Sequence, residues 1–163
     1  MTFQLLSFLK KNLYLLIIFF ILILTINSYD FFYLELIFYV TLHILFIFYS
    51  FYDDFKINYF IVFLLGFVLD LFLINDFGPH LLVFMFFYLL INKIKRFFIN
   101  QKQLILITIN LLFVILILFT EKILIFIIYG SSFSYYILLQ SIIISAVLYY
   151  PIYLILNMIK MKM

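Results

Sequence analysis

Four ionisable side chains lie within long apolar runs of this sequence, Glu35, His43, Asp70 and His80, and Glu121 stands at the margin of that set. Such groups are costly in hydrocarbon. They turn instead toward a protein interior or a water-filled cavity, which makes them functional candidates. Asn110, Gln140, Ser141 and Ser145 add uncharged polar groups. Helix rise sets the depth of each. Glu35, Asp70, His80 and Gln140 fall in one half of the layer, placed either to line a cavity for a small solute or to bond the helices to one another. His43 falls mid-span, roughly 10 Å or more from the depth of His80, which argues against the pair as axial haem ligands. The chain has no Gly-x-Ser-x-Gly elbow, P-loop or His-Glu-x-x-His. It has no run of carboxylates suited to Mg²⁺, and Asp53-Asp54 reads as a solvated turn. Without cysteine, disulfides, thiolate metal sites and thiol nucleophiles are excluded. These absences set aside several enzyme classes, and no metal or cofactor is expected.

The elements that position these groups follow from composition. Of 163 residues, 70% are hydrophobic and 10% charged, against roughly 45–50% and 25% in soluble domains. Mean hydropathy is +1.36. A soluble fold of this size keeps much of its surface wet, so the apolar excess must face lipid. That excludes a soluble enzyme, a nucleic-acid module and a disordered tail. The net charge of +3 is therefore no nucleic-acid footprint. Long continuous apolar runs predict helices rather than a β-barrel. Six spans are expected, over residues 13–27, 31–52, 57–75, 78–92, 103–129 and 135–159, in one membrane domain covering 1–163. The fold class is an all-α integral membrane bundle of six helices with short loops.

Basic residues orient it. Lys10, Lys11, Lys56, Lys93, Lys95, Arg96, Lys102, Lys160 and Lys162 fall on one side, and Lys122 alone of the ten basic residues on the other. The positive-inside rule then places both termini in the cytoplasm. The stretch after Lys10-Lys11 ends in Thr25-Ile26-Asn27-Ser28 without a small-x-small cleavage site, so the first span is expected to remain uncleaved.

Local spacing adds detail. Gly66 and Asp70, four apart, share a helix face. Gly66 admits a neighbouring helix, and Asp70 is expected to bond across that contact, to an N–H at the start of span four or to His80. In Asn75-Asp76-Phe77-Gly78-Pro79-His80, Gly78 suits a positive φ. Pro79 suits the first helical position, and Asp76 is placed to cap the helix. Ser141, Ser145 and Ala146 form a small-residue seam. Pro151 is expected to kink span six. The basic stretch 93–102 is a topology determinant, placed to touch anionic lipid or an acidic cytoplasmic partner.

Leu64-Leu65-Gly66-Phe67-Val68-Leu69-Asp70-Leu71-Phe72, then Phe77-Gly78-Pro79-His80-Leu81-Leu82-Val83-Phe84, then Lys93-Ile94-Lys95-Arg96 resemble the rod shape-determining protein MreD family. The late Leu148-Tyr149-Tyr150-Pro151-Ile152-Tyr153-Leu154 is similar to that family's terminal Tyr-Pro segment. Pro79 and Asn75-Asp76 depart from its usual turn. The resemblance implies a multi-pass protein of the bacterial cytoplasmic (inner) membrane, non-catalytic, in the cell-elongation machinery. It implies MreC as partner, and through it MreB, RodA and a class B penicillin-binding protein, with membrane lipid or a second protomer against the outer surface. It also implies a fold similar to the substrate-binding S component of energy-coupling-factor transporters. The alternative reading is therefore a small-solute transporter or substrate-binding membrane subunit.

Overall fold

The computed structural model describes the chain except residues 1, 29–30, 53–56, 75–77, 99–100, 131–133 and 163; of residues 2–12 and 159–162 it describes the helical backbone alone. Every described element is helical: α1 Thr2–Asn27, α2 Phe32–Phe51, α3 Tyr59–Leu69, α4 Pro79–Phe98, α5 Gln103–Tyr129 and α6 Tyr135–Lys162. A π-helical turn, Asp70–Ile74, continues α3. The six expected apolar stretches fall on these helices in order. α1 runs back through Lys10-Lys11, and α4 runs on through Lys93, Lys95 and Arg96, because lysine and arginine are good helix formers.

The helix ends have local causes. Asn58 caps α3, its side-chain oxygen accepting the Ile61 N–H at 3.0 Å. Pro79 opens α4, where its missing N–H costs nothing. Gly130, at φ +60°, closes α5 in the left-handed conformation that glycine tolerates best, and its N–H donates to Phe126 O at 3.0 Å. α6 continues through Pro151, which is exposed.

α2 is the central helix. It packs against α1, α4, α5 and α6, and residues 42–51 are all buried. α3 lies chiefly against α4, with a smaller contact to α1, and α5 lies against α6. The core holds Ile18, Val40, Phe46, Leu65, Phe84 and Ile117. Phe20, Phe60, Phe86, Leu112, Tyr136 and Val147 are exposed on the outside. His43, Asp70 and Glu121 are each 0% exposed. An apolar exterior around a charged interior is stable against hydrocarbon and unstable against water. Phe32–Phe51, Gln103–Tyr129 and Tyr135–Met158 are long and apolar enough to cross a membrane, and Leu13–Asn27 and Tyr59–Ile74 are shorter apolar helices.

The α3–α4 contact depends on Gly66. A Cβ there would lie 2.5 Å from Leu81 Cα and 2.9 Å from Leu81 N, backbone atoms that cannot move alone. Gly78 is used differently from the expectation. Its φ is not positive; Gly130 is the described glycine in that region. Gly78 instead faces the Tyr129 hydroxyl, 3.1 Å from where its Cβ would stand, and gives its N–H to Asp70. Ser141 and Ser145 are buried as expected, donating to Leu138 O and Ile142 O at 2.7 Å each, but Ala146 is exposed, so the seam ends at the serines.

Gly66→Ala should cost about 1–3 kcal/mol, the range for overpacking a filled interior. Gly78→Ala should cost less, because a tyrosine tip can swing aside. Unfolding of the detergent-solubilised protein by heat or SDS checks the ranking; equal losses would contradict the close backbone approach at Gly66.

Candidate functional site

Asp70 begins the π turn, fully buried, and its carboxylate faces the start of α4. Oδ2 accepts the N–H groups of Gly78 at 3.1 Å and Leu81 at 2.9 Å. Oδ1 accepts the His80 N–H at 3.0 Å and meets His80 Nδ1 at 2.8 Å. The first N–H groups of a helix have no partner within it, and this one carboxylate satisfies three donors at the entry to α4. The expected bonds from Asp70 are both present. The capping expected of Asp76 falls outside the described residues, and Asp70 supplies that service.

The bonds continue inward. His80 Nε2 lies 3.1 Å from the Tyr39 hydroxyl, which donates to Glu121 Oε2 at 2.5 Å. His43 Nε2 lies 3.0 and 2.9 Å from the two Glu121 oxygens, and His43 Nδ1 lies 2.8 Å from the Tyr39 carbonyl. Tyr39 and His43 sit four apart on one face of α2, so both reach Glu121 on α5. The His43 ring stacks on Phe84, 5.1 Å between centroids at 29°. Five side chains from four helical segments thus form one chain of contacts: Asp70, His80, Tyr39, Glu121 and His43.

Pairing donors with acceptors assigns the hydrogens. The Tyr39 carbonyl accepts only, so His43 Nδ1 carries a hydrogen. The Asp70 oxygens already accept three N–H groups, so His80 Nδ1 donates as well. The five side-chain contacts that run from Asp70 to the Tyr39 carbonyl take five hydrogens. Neutral Tyr39, His43 and His80 bring three of them. The two further protons balance the two carboxylates, so the satisfied cluster is neutral as a whole. Neutrality is the condition for burying it, since an unbalanced interior charge costs several kcal/mol.

At the end of the bundle where α2, α4 and α6 begin, a cavity of about 290 Å³ opens onto this network. Tyr39 and His80 form its floor; Glu35, Lys122 and Ser141 are its other polar residues, and the remaining wall is apolar. Lys122 Nζ stands 5.9 Å from the Tyr39 ring centroid, a cation–π approach. The four polar residues expected to share this half do not converge as one group. Glu35 and His80 line the cavity, Asp70 stands behind His80, and Gln140 is outside the lining with Oε1 buried and unbonded. Asn110 is fully buried on α5, roughly 16 Å below Glu121 by helix rise. Its amide joins none of these bonds.

Tyr39 stands against both histidines: its ring centroid is 4.4 Å from His43 and 5.9 Å from His80. Sequence reasoning missed Tyr39 and placed Glu121 only at the margin of the candidates. The available signals were the Tyr39–His43 spacing and a carboxylate deep inside a 27-residue apolar helix. Among the described residues, no group of three or more His, Cys, Asp or Glu is arranged to hold a metal. No protein-family model, curated protein or solved structure matches the chain.

Tyr39→Phe removes the one hydroxyl joining the Asp70–His80 half to the Glu121–His43 half, and should cost about 1–3 kcal/mol. His43→Leu and Glu121→Leu each leave a buried polar partner without its contact. Their double variant should cost less than the sum of the singles by about 0.5–3 kcal/mol. SDS-titrated unfolding measures all four proteins, and strict additivity would contradict the pairing.

Proposed function

We propose that this chain is a non-catalytic component of the bacterial cell-elongation machinery, a six-span inner-membrane scaffold with both termini in the cytoplasm that docks MreC. What supports the reading is that the residues carrying the MreD resemblance work as one unit. Gly66 allows the α4 backbone to approach, and Asp70, four residues on, binds the N–H groups of Gly78, His80 and Leu81. A scaffold needs a rigid shape more than a reactive group, and this lock fixes the α3–α4 hairpin that a partner would read. The apolar outer face suits association with a transmembrane helix by packing rather than by water-driven burial. The distribution of Lys10, Lys11, Lys93, Lys95, Arg96, Lys102, Lys160 and Lys162 supports the cytoplasmic placement. Through MreC the scaffold would couple MreB filaments to RodA and a class B penicillin-binding protein.

Asp70→Ala should sharply reduce co-purification of MreC from detergent extracts and fail to restore rod shape in cells lacking the native protein. Thermal unfolding of the same variant separates a lost contact from a lost fold. A folded Asp70→Ala protein that retains MreC at the wild-type level would contradict the scaffold role. Reporters fused at each end should both report cytoplasm, and opposite faces would contradict the topology.

A further inference from the structure

The cavity above the network presents two opposite charges on different helices, near enough to feel each other's field but not joined in an ion pair. Glu35 comes from the first turn of α2 and Lys122 from α5, and both line the space. Among the described residues no ion pair joins them, although salt bridges form elsewhere at 2.8 and 2.9 Å. The floor adds no net charge, because the network behind Tyr39 and His80 balances itself. The lining therefore sums to zero while holding a separated plus and minus. Its apolar wall includes Phe32, Leu36, Leu73 and Ile137. The volume, about 290 Å³, lies near the lower end of small-ligand cavities.

We propose that this cavity binds a small zwitterion bearing an apolar side group, an amino-acid-like molecule whose ammonium meets Glu35 and whose carboxylate meets Lys122. A singly charged ligand would leave one wall charge without a partner in a confined site. A purely apolar ligand would strand both and pay for their desolvation. A zwitterion satisfies each wall and buries no net charge, and its side group covers the apolar lining. The site does not depend on the scaffold reading: its two charged residues, Glu35 and Lys122, lie outside the Gly66–Asp70–Gly78 lock, and a scaffold could hold such a ligand or lack it.

Three probes that share a phenethyl unit test the charge requirement: phenylalanine, phenethylamine and 3-phenylpropanoate. Added to the full chain in nanodiscs, phenylalanine should raise the unfolding temperature saturably. Each one-charge analogue should bind roughly tenfold or more weakly, the loss of one charge-assisted contact. Lys122→Met should remove the preference for phenylalanine over phenethylamine, and Glu35→Gln the preference over 3-phenylpropanoate. No stabilisation by phenylalanine, equal binding of the three probes, or variants that keep both preferences would overturn the proposal. Should a variant fail to fold, the ranking on the unaltered chain decides alone.

Discussion

One carboxylate, Asp70, sets the geometry from which the rest of the interior follows. It closes the entry to α4 through three backbone N–H groups and holds the His80 ring in a single orientation. With that ring fixed, Nε2 points at Tyr39, Tyr39 at Glu121, and Glu121 at His43. In hydrocarbon the hydrophobic effect gives little preference for one helix arrangement over another, since side chains and lipid tails are equally apolar. A buried polar chain supplies that preference. Any rotation of α2, α4 or α5 breaks one of these contacts.

The π turn at Asp70–Ile74 belongs to the same constraint. Such turns break the regular helix and recur at functional positions. Here it begins at the residue whose carboxylate must reach the next helix. Gly66, one turn earlier, brings the α4 backbone within reach. The two residues are complementary: a side chain at position 66 would push Leu81 away from the carboxylate that holds its N–H. The cavity then lies over the completed network, with His80 and Tyr39 as a surface already committed to inward bonds. Its free chemistry is left to Glu35 and Lys122, which makes the network a support for the cavity rather than its reactive part.

The helices were readable because charge and turn residues interrupt long apolar runs, and backbone in an apolar surrounding must satisfy its own hydrogen bonds. The Asp70–His80 pair was readable because its partners lie ten residues apart across one hairpin. The other half was not. Tyr39 is one of fourteen tyrosines, and its partner Glu121 is 82 residues away. Nothing local announces that α2 is the central helix, the fact that turns its Tyr39–His43 face toward α4 and α5 at once. Glu121 stands beside Lys122, so sequence suggests an adjacent charged pair, whereas in the helix successive residues point apart and the two serve different places. Gly78 was misread for a related reason: a turn favours positive φ in glycine, but this one is kept small by the Tyr129 hydroxyl.

The hydrogen placement on the two histidines is the most direct test of this arrangement. Both rings should carry a hydrogen on Nδ1, His80 because Asp70 accepts it and His43 because the Tyr39 carbonyl can do nothing else. Solid-state nitrogen NMR of histidine-labelled protein in lipid bilayers reads this site by site. Protonated Nδ1 on both rings is the predicted spectrum, and a bare Nδ1 on either would contradict the network.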